Sequence, residues 1–159
     1  MSILGRWRPH TTGILIGGVV LVLLAVGAAF IVSHAQPPTE VRLGSSVLQA
    51  RVVKDEVGRQ KGLSGVKSMK PNEALLMVFD TSDLWGIWMK DMEIPIDILW
   101  LDENGKVVHI VKNAPETDQE TVYSPKEKAR YVLELPAGTV QSYNFKVGQV
   151  AAFAIDGVQ

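Results

Sequence analysis

The chain has 159 residues, of which 47% are hydrophobic, and a formal net charge of −1 at pH 7. It contains no cysteine, which excludes disulfides, thiolate zinc sites, cysteine nucleophiles and cysteine-held iron–sulfur clusters. Its basic residues form no run and no patch interleaved with aromatic residues, so the sequence predicts no nucleic-acid partner. The length suits one domain with accessory segments.

An uncharged, strongly apolar segment occupies residues 13–32. A helix of about 20 residues is about 30 Å long, which matches the hydrocarbon core of a bilayer. Arg6 and Arg8 precede this segment, and the next basic residue is Arg42. The positive-inside rule therefore places residues 1–12 in the cytoplasm. The sequence predicts a single-pass cell-membrane protein with a signal anchor at 13–32 and an extracytoplasmic C-terminal part.

A cleaved signal peptide is the alternative interpretation of this segment. Ser33-His34-Ala35 has the small-x-small pattern of a cleavage site, and cleavage near Ala35 would release a secreted domain. The apolar segment is longer than the usual signal-peptide core of about 7–15 residues, which favours the anchor. Residues 33–40 then form a polar linker. The spacing of Gly13 and Gly17 is common in membrane helices and leaves the oligomeric state open.

The remaining residues, 41–159, show short strand patterns separated by turn residues. The predicted strands are 41–43, 47–53, 74–79, the two arms around Asn104-Gly105, 130–135 and 149–155. Short helices are predicted at 56–61, between Asp55 as N-cap and Gly62 as stop, and at 139–146. Residues 80–83 are predicted as a turn and 114–128 as a long surface loop. The pattern indicates a mainly β domain, a small antiparallel barrel or sandwich with one or two short helices.

The central hairpin can be given a register. If Asn104-Gly105 forms a two-residue type I′ turn, counting outward pairs the residues of the two arms. The pairs on the two faces are Leu101–Val108, Leu99–Ile110 and Asp97–Lys112, and Trp100–His109, Ile98–Val111 and Ile96–Asn113. Both faces are apolar in the middle, so we expect this hairpin to be covered on both sides.

Several motifs follow one another in residues 41–159. They are Arg59-x-x-Gly62-Leu63-Ser64-Gly65, Trp88-Met89-Lys90, Ile94-Pro95-Ile96-Asp97 and Tyr131-Val132-Leu133-Glu134-Leu135 followed by Gly138. In this order and spacing the chain resembles the DUF192 family. The resemblance implies an all-β barrel- or sandwich-like fold, often exported or membrane-tethered, with no agreed activity. This chain departs from the family pattern in having Asp91 where Asn usually follows Trp-Met-Lys. It also has Ala74-Leu75-Leu76-Met77 in place of Gly-Met-Leu-Phe.

Four charged residues lie inside these motifs: Arg59, Lys90, Asp97 and Glu134. We expect several of them to converge on one cleft. Asp97 is interpreted either as a cross-strand ion pair with Lys112 or as a ligand-facing carboxylate. Glu134 shares a strand face with apolar residues, and Arg59 is its predicted ion-pair partner.

Aromatic residues supply a second set of candidates. Trp85 and Trp88 are interpreted as either groove-lining or core residues, whereas Trp100 and Met89 are predicted to be core. His109 is predicted to lie opposite Trp100 as a core histidine rather than a general base. No pair of histidines has metal-ligand spacing, so no metal and no cofactor are predicted; a calcium site built from carboxylates alone stays open.

These observations favour a membrane-anchored, extracytoplasmic domain that binds a small molecule, a glycan or an envelope partner without catalysis. The candidate ligand-binding residues are Arg59, Trp85, Trp88, Lys90, Asp97 and Glu134. One alternative is an envelope enzyme that uses Asp97 and Glu134 as paired carboxylates. Another is a structural assembly protein.

Overall fold

The structure is a computed structural model and describes residues 37–155. The predicted cytoplasmic segment 1–12, the signal anchor at 13–32, the cleavage motif near Ala35 and the first half of the linker lie outside the described residues. Within 37–155, no helix combines the length and the hydropathy that crossing a bilayer requires.

The described residues form nine strands and two short helices. The strands are β1 (Thr39–Leu43), β2 (Ser46–Val53), β3 (Glu73–Asp83), β4 (Ile87–Trp88), β5 (Ile96–Leu101), β6 (Val107–Ala114), β7 (Val122–Tyr123), β8 (Ala129–Pro136) and β9 (Ala151–Ala152). The helices are α1 (Glu56–Lys61) and α2 (Thr139–Ser142). The prediction of a mainly β domain with one or two short helices is confirmed, and the structure has two.

Seven strands form one curled sheet in the order β6-β5-β8-β3-β2-β1-β9, while β4 and β7 pair separately. Neighbouring strands in the large sheet are antiparallel except β2 and β3, which are parallel. A parallel pair cannot be joined by a tight turn and needs a crossover. Here the crossover contains α1 and the loop that follows it. The prediction of a purely antiparallel architecture is therefore wrong at this pair. Because the crossover runs over the sheet, it places α1 on one of the sheet's faces.

The two edges of the curled sheet meet at one end, which makes the sheet a half-barrel. Lys106, just before β6, forms an antiparallel bridge with Val150, just before β9. The N–H of Ala151 donates to the carbonyl of Gly105 at 2.8 Å. A Cβ on Gly105 would lie 2.5 Å from the carbonyl oxygen of Ala151. Only glycine therefore fits at this contact without a shift of the backbone.

Two apolar clusters cover the two faces of the sheet. The first receives side chains from all seven strands, including Leu43, Leu48, Leu76, Leu99, Val107, Leu133 and Ala151. The second lies on the opposite face and includes Leu75, Met77, Ile98, Trp100 and Val132. All six residues of β5 are buried, which confirms that this strand is covered on both faces. Burying one Leu or Ile side chain contributes about 1.5–3 kcal/mol, so both clusters stabilise the sheet.

The hairpin of β5 and β6 has part of the predicted register. The pairs Ile98–Val111, Leu99–Ile110 and Trp100–His109 are confirmed. In contrast, Leu101 pairs with Val107 and Ile96 with Ala114, so the predictions for both ends of the hairpin are wrong.

The turn explains the error near Leu101. Gly105 has a φ of 76°, but Asn104 does not have the positive φ that a type I′ turn requires. Gly105 N–H donates to the Asp102 carbonyl at 3.1 Å, and Asp102 N–H donates to the Lys106 carbonyl at 2.9 Å. This pattern is a type I turn followed by a glycine bulge. The turn shifts the pairing by one residue, and a second irregularity between Leu101 and Trp100 restores the predicted register.

The first predicted helix is confirmed in its bounds and in both caps. The Asp55 carboxylate accepts a hydrogen bond from Gly58 N–H at 2.8 Å, which satisfies a free donor in the first turn. Gly62 ends the helix with a φ of 50° and donates its N–H to the Gly58 carbonyl.

Other predicted boundaries differ from the structure. Residues 80–83 are not a turn, because β3 continues to Asp83 and pairs there with Ala129 of β8. The predicted surface loop 114–128 contains the short strand β7, which pairs with β4. The second helix and the last strand are shorter than predicted.

Candidate ligand-binding site

A pocket of about 310 Å³ lies between α1 with its following loop and the segment around β4. This volume is at the lower end of the range for small-molecule sites, about 300–1,000 Å³. The pocket lies on the second apolar face of the sheet. Its apolar lining consists of Leu63, Met77, Phe79, Trp85, Ile87, Trp88 and Met92, and its polar or small lining consists of Glu56, Arg59, Gln60, Lys61, Gly62, Ser64, Gly86 and Glu134.

Trp85 forms a rigid part of the pocket wall. Its ring stacks on Phe79 with a centroid distance of 4.3 Å and an interplanar angle of 10°. Its indole N–H donates to the Thr81 carbonyl at 3.0 Å. Its own carbonyl accepts a hydrogen bond at 2.7 Å from the indole N–H of the buried Trp100. The side chain of Trp85 is therefore held by the stack on Phe79 and by its indole hydrogen bond, and its backbone is held by Trp100.

Trp88 forms the exposed side of the pocket. Its side chain is 47% exposed, while its neighbours Ile87 and Met89 are buried. The alternation arises because β4 is extended and pairs with β7, where Trp88 lies opposite Val122. Lys90 Nζ lies 5.9 Å from the centroid of the Trp88 ring, within the range of a weak cation–π contact. Met89 and Trp100 are core residues, as predicted.

Arg59 lies on α1 and covers the Phe79 end of the wall. Its guanidinium donates to the Val78 carbonyl at 3.0 Å and to the Lys54 carbonyl, and it lies 5.1 Å from the centroid of the Phe79 ring. Within 37–155 it forms no ion pair with Glu134. The predicted Arg59–Glu134 salt bridge is therefore wrong, because the guanidinium is directed at backbone carbonyls and an aromatic face.

Glu134 lines the pocket from β8 and is only 3% exposed. Its cross-strand neighbours are Leu75 on β3 and Ile98 on β5, both fully buried. Its Oε2 has no hydrogen-bond partner among the described residues. Burial raises the pKa of this carboxyl to about 8, although the positive charge of Arg51 acts in the opposite direction. At neutral pH the group is mostly an uncharged carboxylic acid.

Arg51 and Gly62 frame the Glu134 carboxyl and were not among the predicted site residues. Arg51 is the register partner of Leu75, which in turn pairs with Glu134, so the three share one face of the sheet. The Arg51 guanidinium donates to the Gly62 carbonyl at 2.9 Å. A Cβ on Gly62 would lie 3.2 Å from Met77 Cε and 3.8 Å from Glu134 Oε2. A glycine at this position keeps the space next to the carboxyl open.

Two hydrogen bonds join the loop after α1 to the segment after β4. Ser64 Oγ donates to the Lys90 carbonyl at 2.8 Å, and Gly65 N–H donates to the Asp91 carbonyl at 2.9 Å. Asp91 has a φ of 56°, a left-handed conformation that Asn adopts readily among residues with a Cβ. This positive φ explains why Asn suits the position in the family that the chain resembles. The two sides of the pocket are tied together at this point.

Asp97 is not part of the pocket. It is fully buried on the other face of the sheet, where its two carboxylate oxygens accept hydrogen bonds from the N–H groups of Asn113 and Val140, each at 2.8 Å. The predicted ion pair with Lys112 is wrong, since both oxygens bind backbone donors. Of the four charged residues expected to converge, Arg59 and Glu134 line the pocket, Lys90 lies at its edge and Asp97 lies outside it. The paired-carboxylate geometry proposed for an enzyme is therefore absent at Asp97 and Glu134.

His109 lies on β6 against Trp100, with a centroid distance of 5.4 Å. It is half-buried rather than fully buried. Partial burial, followed by the positive charge of Lys126, lowers the pKa of His109. Between residues 37 and 155, no cluster of three or more His, Asp or Glu side chains is arranged to hold a metal ion.

The curled sheet, the helix in its crossover and the pocket beneath that helix define a small, mainly β domain with one recessed carboxyl group. The model of the DUF192 family, described as Uncharacterized ACR, matches residues 39–153. The chain belongs to the DUF192 family.

Curated relatives are UPF0127 proteins of two archaea. The protein of Thermococcus gammatolerans is 32% identical over 101 residues, which are 62% of this chain and 62% of the relative. That of Thermococcus kodakarensis is 32% identical over 97 residues, which are 60% of this chain and 58% of the relative. The matched part thus spans less than two thirds of the length of these relatives.

Two crystal structures have the same fold. One is a Sinorhizobium meliloti protein described as a "putative transcription regulator", with a TM-score of 0.70 and 28% identity over 72% of this chain and 92% of that one. The other is a Novosphingobium aromaticivorans protein of unknown function, with a TM-score of 0.67 and 23% identity over 72% of this chain and 83% of that one. The second likeness shows the fold alone.

Proposed function

We propose that the DUF192 domain of this chain is a non-catalytic binding domain for a small molecule. The observation that carries the proposal is the Glu134 carboxyl, which is almost fully buried, lacks a hydrogen-bond partner on Oε2 and borders an aromatic pocket. A buried polar group without a partner costs about 1–3 kcal/mol. A ligand that supplies the missing hydrogen bond recovers part of this cost.

The shape of the site supports a small molecule over a flat macromolecular partner. The aromatic side chains of Phe79, Trp85 and Trp88 surround a recess rather than forming an exposed plane. Most small-molecule sites combine such apolar walls with a few directed polar groups. A glycan ring fits the same description through stacking on the exposed Trp88, and it is included among the expected ligands.

A thermal-shift screen of the full-length protein against a metabolite and sugar library tests the proposal. Ligands that raise the melting temperature are then measured on Trp88→Ala, which removes an exposed side of the pocket without opening the core. Tyr143→Ala is the matched control, because Tyr143 is a partly exposed aromatic residue that does not line the pocket. We expect binding to be lost in the first variant and kept in the second. Ligands that bind equally to both variants would exclude this pocket as the site.

We also propose that the domain is held at the outer surface of the cell membrane by residues 13–32. The support is the sequence alone: an uncharged apolar segment of bilayer length with Arg6 and Arg8 before it. Protease treatment of intact cells should remove the domain while an N-terminal tag stays protected. A mature protein that begins near Gln36 in the culture medium would instead establish cleavage and secretion.

A further inference from the structure

The buried polar group of the pocket is the Glu134 carboxyl, whose neighbours on the adjoining strands are mostly apolar. From β3 and β5, the side chains that neighbour Glu134 are the apolar Leu75 and Ile98. From β2 the charged neighbour is Arg51, which is fixed by its bond to the Gly62 carbonyl. A ligand group that reaches this carboxyl therefore leaves water and meets few other polar atoms.

The charged groups around the pocket make a cationic ligand unfavourable. Arg59 and Lys61 line the α1 side with Glu56, and the positive charge of Arg51 acts on the Glu134 carboxyl. With Glu134 uncharged, cations outnumber anions in this set. A positively charged ligand would be repelled by them and would gain no permanent counter-ion.

An anionic ligand group meets a different obstacle. The burial that keeps Glu134 in its uncharged form would penalise a second carboxylate at the same depth. Neither neighbouring guanidinium is directed at this carboxyl. That of Arg51 donates to the Gly62 carbonyl, and that of Arg59 donates to two backbone carbonyls and packs on Phe79. The ligand group that contacts Glu134 should therefore carry no charge.

We propose that the pocket binds a planar, uncharged ligand that presents a hydrogen-bond donor and acceptor side by side, as a cyclic amide does, to the carboxyl of Glu134. The inference rests on the proposed function and specifies its ligand class. A carboxylic acid has one donor and one acceptor, so a cyclic amide matches it whichever oxygen carries the proton. Trp85 lines the pocket with its ring held flat against Phe79, and we place the ring of the ligand against this aromatic side of the pocket.

Three bicyclic probes with similar shapes and different charges test the ligand class on the full-length protein. They are 2-quinolinone, an uncharged cyclic amide; 2-naphthoate, an anion; and N-methylquinolinium, a cation. Calorimetry at about pH 6.5 should show 2-quinolinone binding at least about tenfold more tightly than either charged probe, a difference that corresponds to about 1.4 kcal/mol. Its affinity should fall as the pH rises past about 8, where Glu134 ionises.

Two substitutions at Glu134 separate hydrogen bonding from packing. Glu134→Gln keeps one donor group and one acceptor but does not ionise, so 2-quinolinone should still bind and its affinity should no longer depend on pH. Glu134→Leu fills similar space without polar atoms and should weaken binding by about tenfold or more. Retention of full affinity in Glu134→Leu would overturn the inference.

The failure of this inference is distinguishable from the failure of the proposed function. If a charged probe binds most tightly and loses affinity in Trp88→Ala, the ligand class is wrong and the pocket is still a binding site. If none of the three probes binds, the ligand class is also wrong. The library screen then decides separately whether the pocket binds any small molecule.

Discussion

Asp97 and Glu134 lie on neighbouring strands, β5 and β8, but their side chains are directed to opposite faces of the sheet. Asp97 pairs with Leu135, and Glu134 pairs with Ile98; cross-strand partners share a face, and successive residues alternate between faces. One carboxyl is therefore buried in the half-barrel and the other borders the pocket. The two acidic residues of the family motifs thus have separate surroundings: Asp97 holds two backbone segments, and Glu134 lines the pocket with an unpaired Oε2.

The first prediction concerns Asp97. Its two oxygens satisfy the N–H groups of Asn113, at the end of β6, and Val140, in α2. Asp97→Asn replaces one acceptor oxygen with an NH₂ group, which would face a backbone donor and leave it unpaired. We expect a loss of about 2–4 kcal/mol in the free energy of unfolding, because a buried backbone N–H left without an acceptor is costly. Urea denaturation followed by tryptophan fluorescence measures this change.

Asp102→Asn is the matched control for Asp97→Asn. One oxygen of Asp102 also accepts two backbone hydrogen bonds, from Asn104 and Lys106, each at 2.8 Å. These bonds lie in the exposed turn, where water can replace them. The control should lose less than about 1 kcal/mol. Equal losses in the two variants would contradict the structural task assigned to Asp97.

The second prediction is the pH dependence of stability caused by Glu134. Its pKa rises from 4.5 to about 8 on folding, so between these values the native protein binds more protons at this residue than the unfolded chain. The associated stability is complete below about pH 4.5 and is lost progressively as the pH rises to about 8. The total loss is about 3–5 kcal/mol, since one pKa unit corresponds to 1.36 kcal/mol.

Comparison of the wild type with Glu134→Gln isolates this contribution from that of the other acidic residues. Gln stays uncharged, so the variant should be the more stable protein at about pH 9 and should lack the decline between pH 4.5 and about 8. Glu56→Gln changes an exposed carboxylate at the pocket edge and should leave the decline in place. If the free energy of unfolding depends on pH in the same way for the wild type and Glu134→Gln, Glu134 ionises normally in the folded protein.

The sequence predicted those parts of the fold that depend on local chemistry. Asp55 caps the start of α1, and Gly62 ends the helix with a positive φ. Both residues adjoin the helix in sequence, so its ends could be predicted without knowledge of the tertiary structure. The middle of the β5–β6 hairpin was also predictable, because two apolar faces of alternating residues determine the register there. The parallel pairing of β2 with β3 was not, since it depends on a crossover whose path is set by tertiary packing.

The sequence identified most residues of the candidate site correctly but not the contacts between them. Arg59, Trp85, Trp88 and Glu134 were identified from motifs and composition, and the structure brings all four to one pocket. Arg51 was missed because it shares a sheet face with Glu134 only through the strand between them. Leu75 on β3 pairs with both residues, and this arrangement requires β2 to lie beside β3. Asp97 was misplaced because an apolar neighbourhood in sequence does not reveal the backbone donors that a carboxylate meets in three dimensions.

The third prediction concerns Asp91, whose φ is 56°. Asp91→Asn introduces the residue that is usual in the family and that tolerates this conformation better, and Asp91→Gly removes the Cβ. Both should raise the free energy of unfolding, by about 0.3–1 kcal/mol. Asp91→Val should lower it by about 1–2 kcal/mol, because a β-branched side chain is strained at a positive φ. A destabilised Asp91→Asn would mean that the carboxylate itself makes a contact that matters.

The fourth prediction compares two glycines that have nearly the same φ. Gly105 has a φ of 76° and Gly65 a φ of 74°. A Cβ at Gly65 meets no atom within 4 Å, whereas a Cβ at Gly105 lies 2.5 Å from the Ala151 carbonyl oxygen. Alanine at either position pays the strain of a positive φ, about 1–2 kcal/mol. At Gly105 it also forces apart the contact that joins the two edges of the half-barrel.

We therefore expect Gly65→Ala to lower the free energy of unfolding by about 1–2 kcal/mol and Gly105→Ala to lower it by about 3 kcal/mol or more. Amide hydrogen exchange locates the damage: in Gly105→Ala the N–H of Ala151, which donates to the Gly105 carbonyl, should lose protection. The β3–β8 pairing, which lies away from this end of the sheet, should keep its protection in both variants. If the two substitutions cost the same, the contact between Gly105 and Ala151 does not hold the sheet edges together, and backbone strain alone accounts for the glycine.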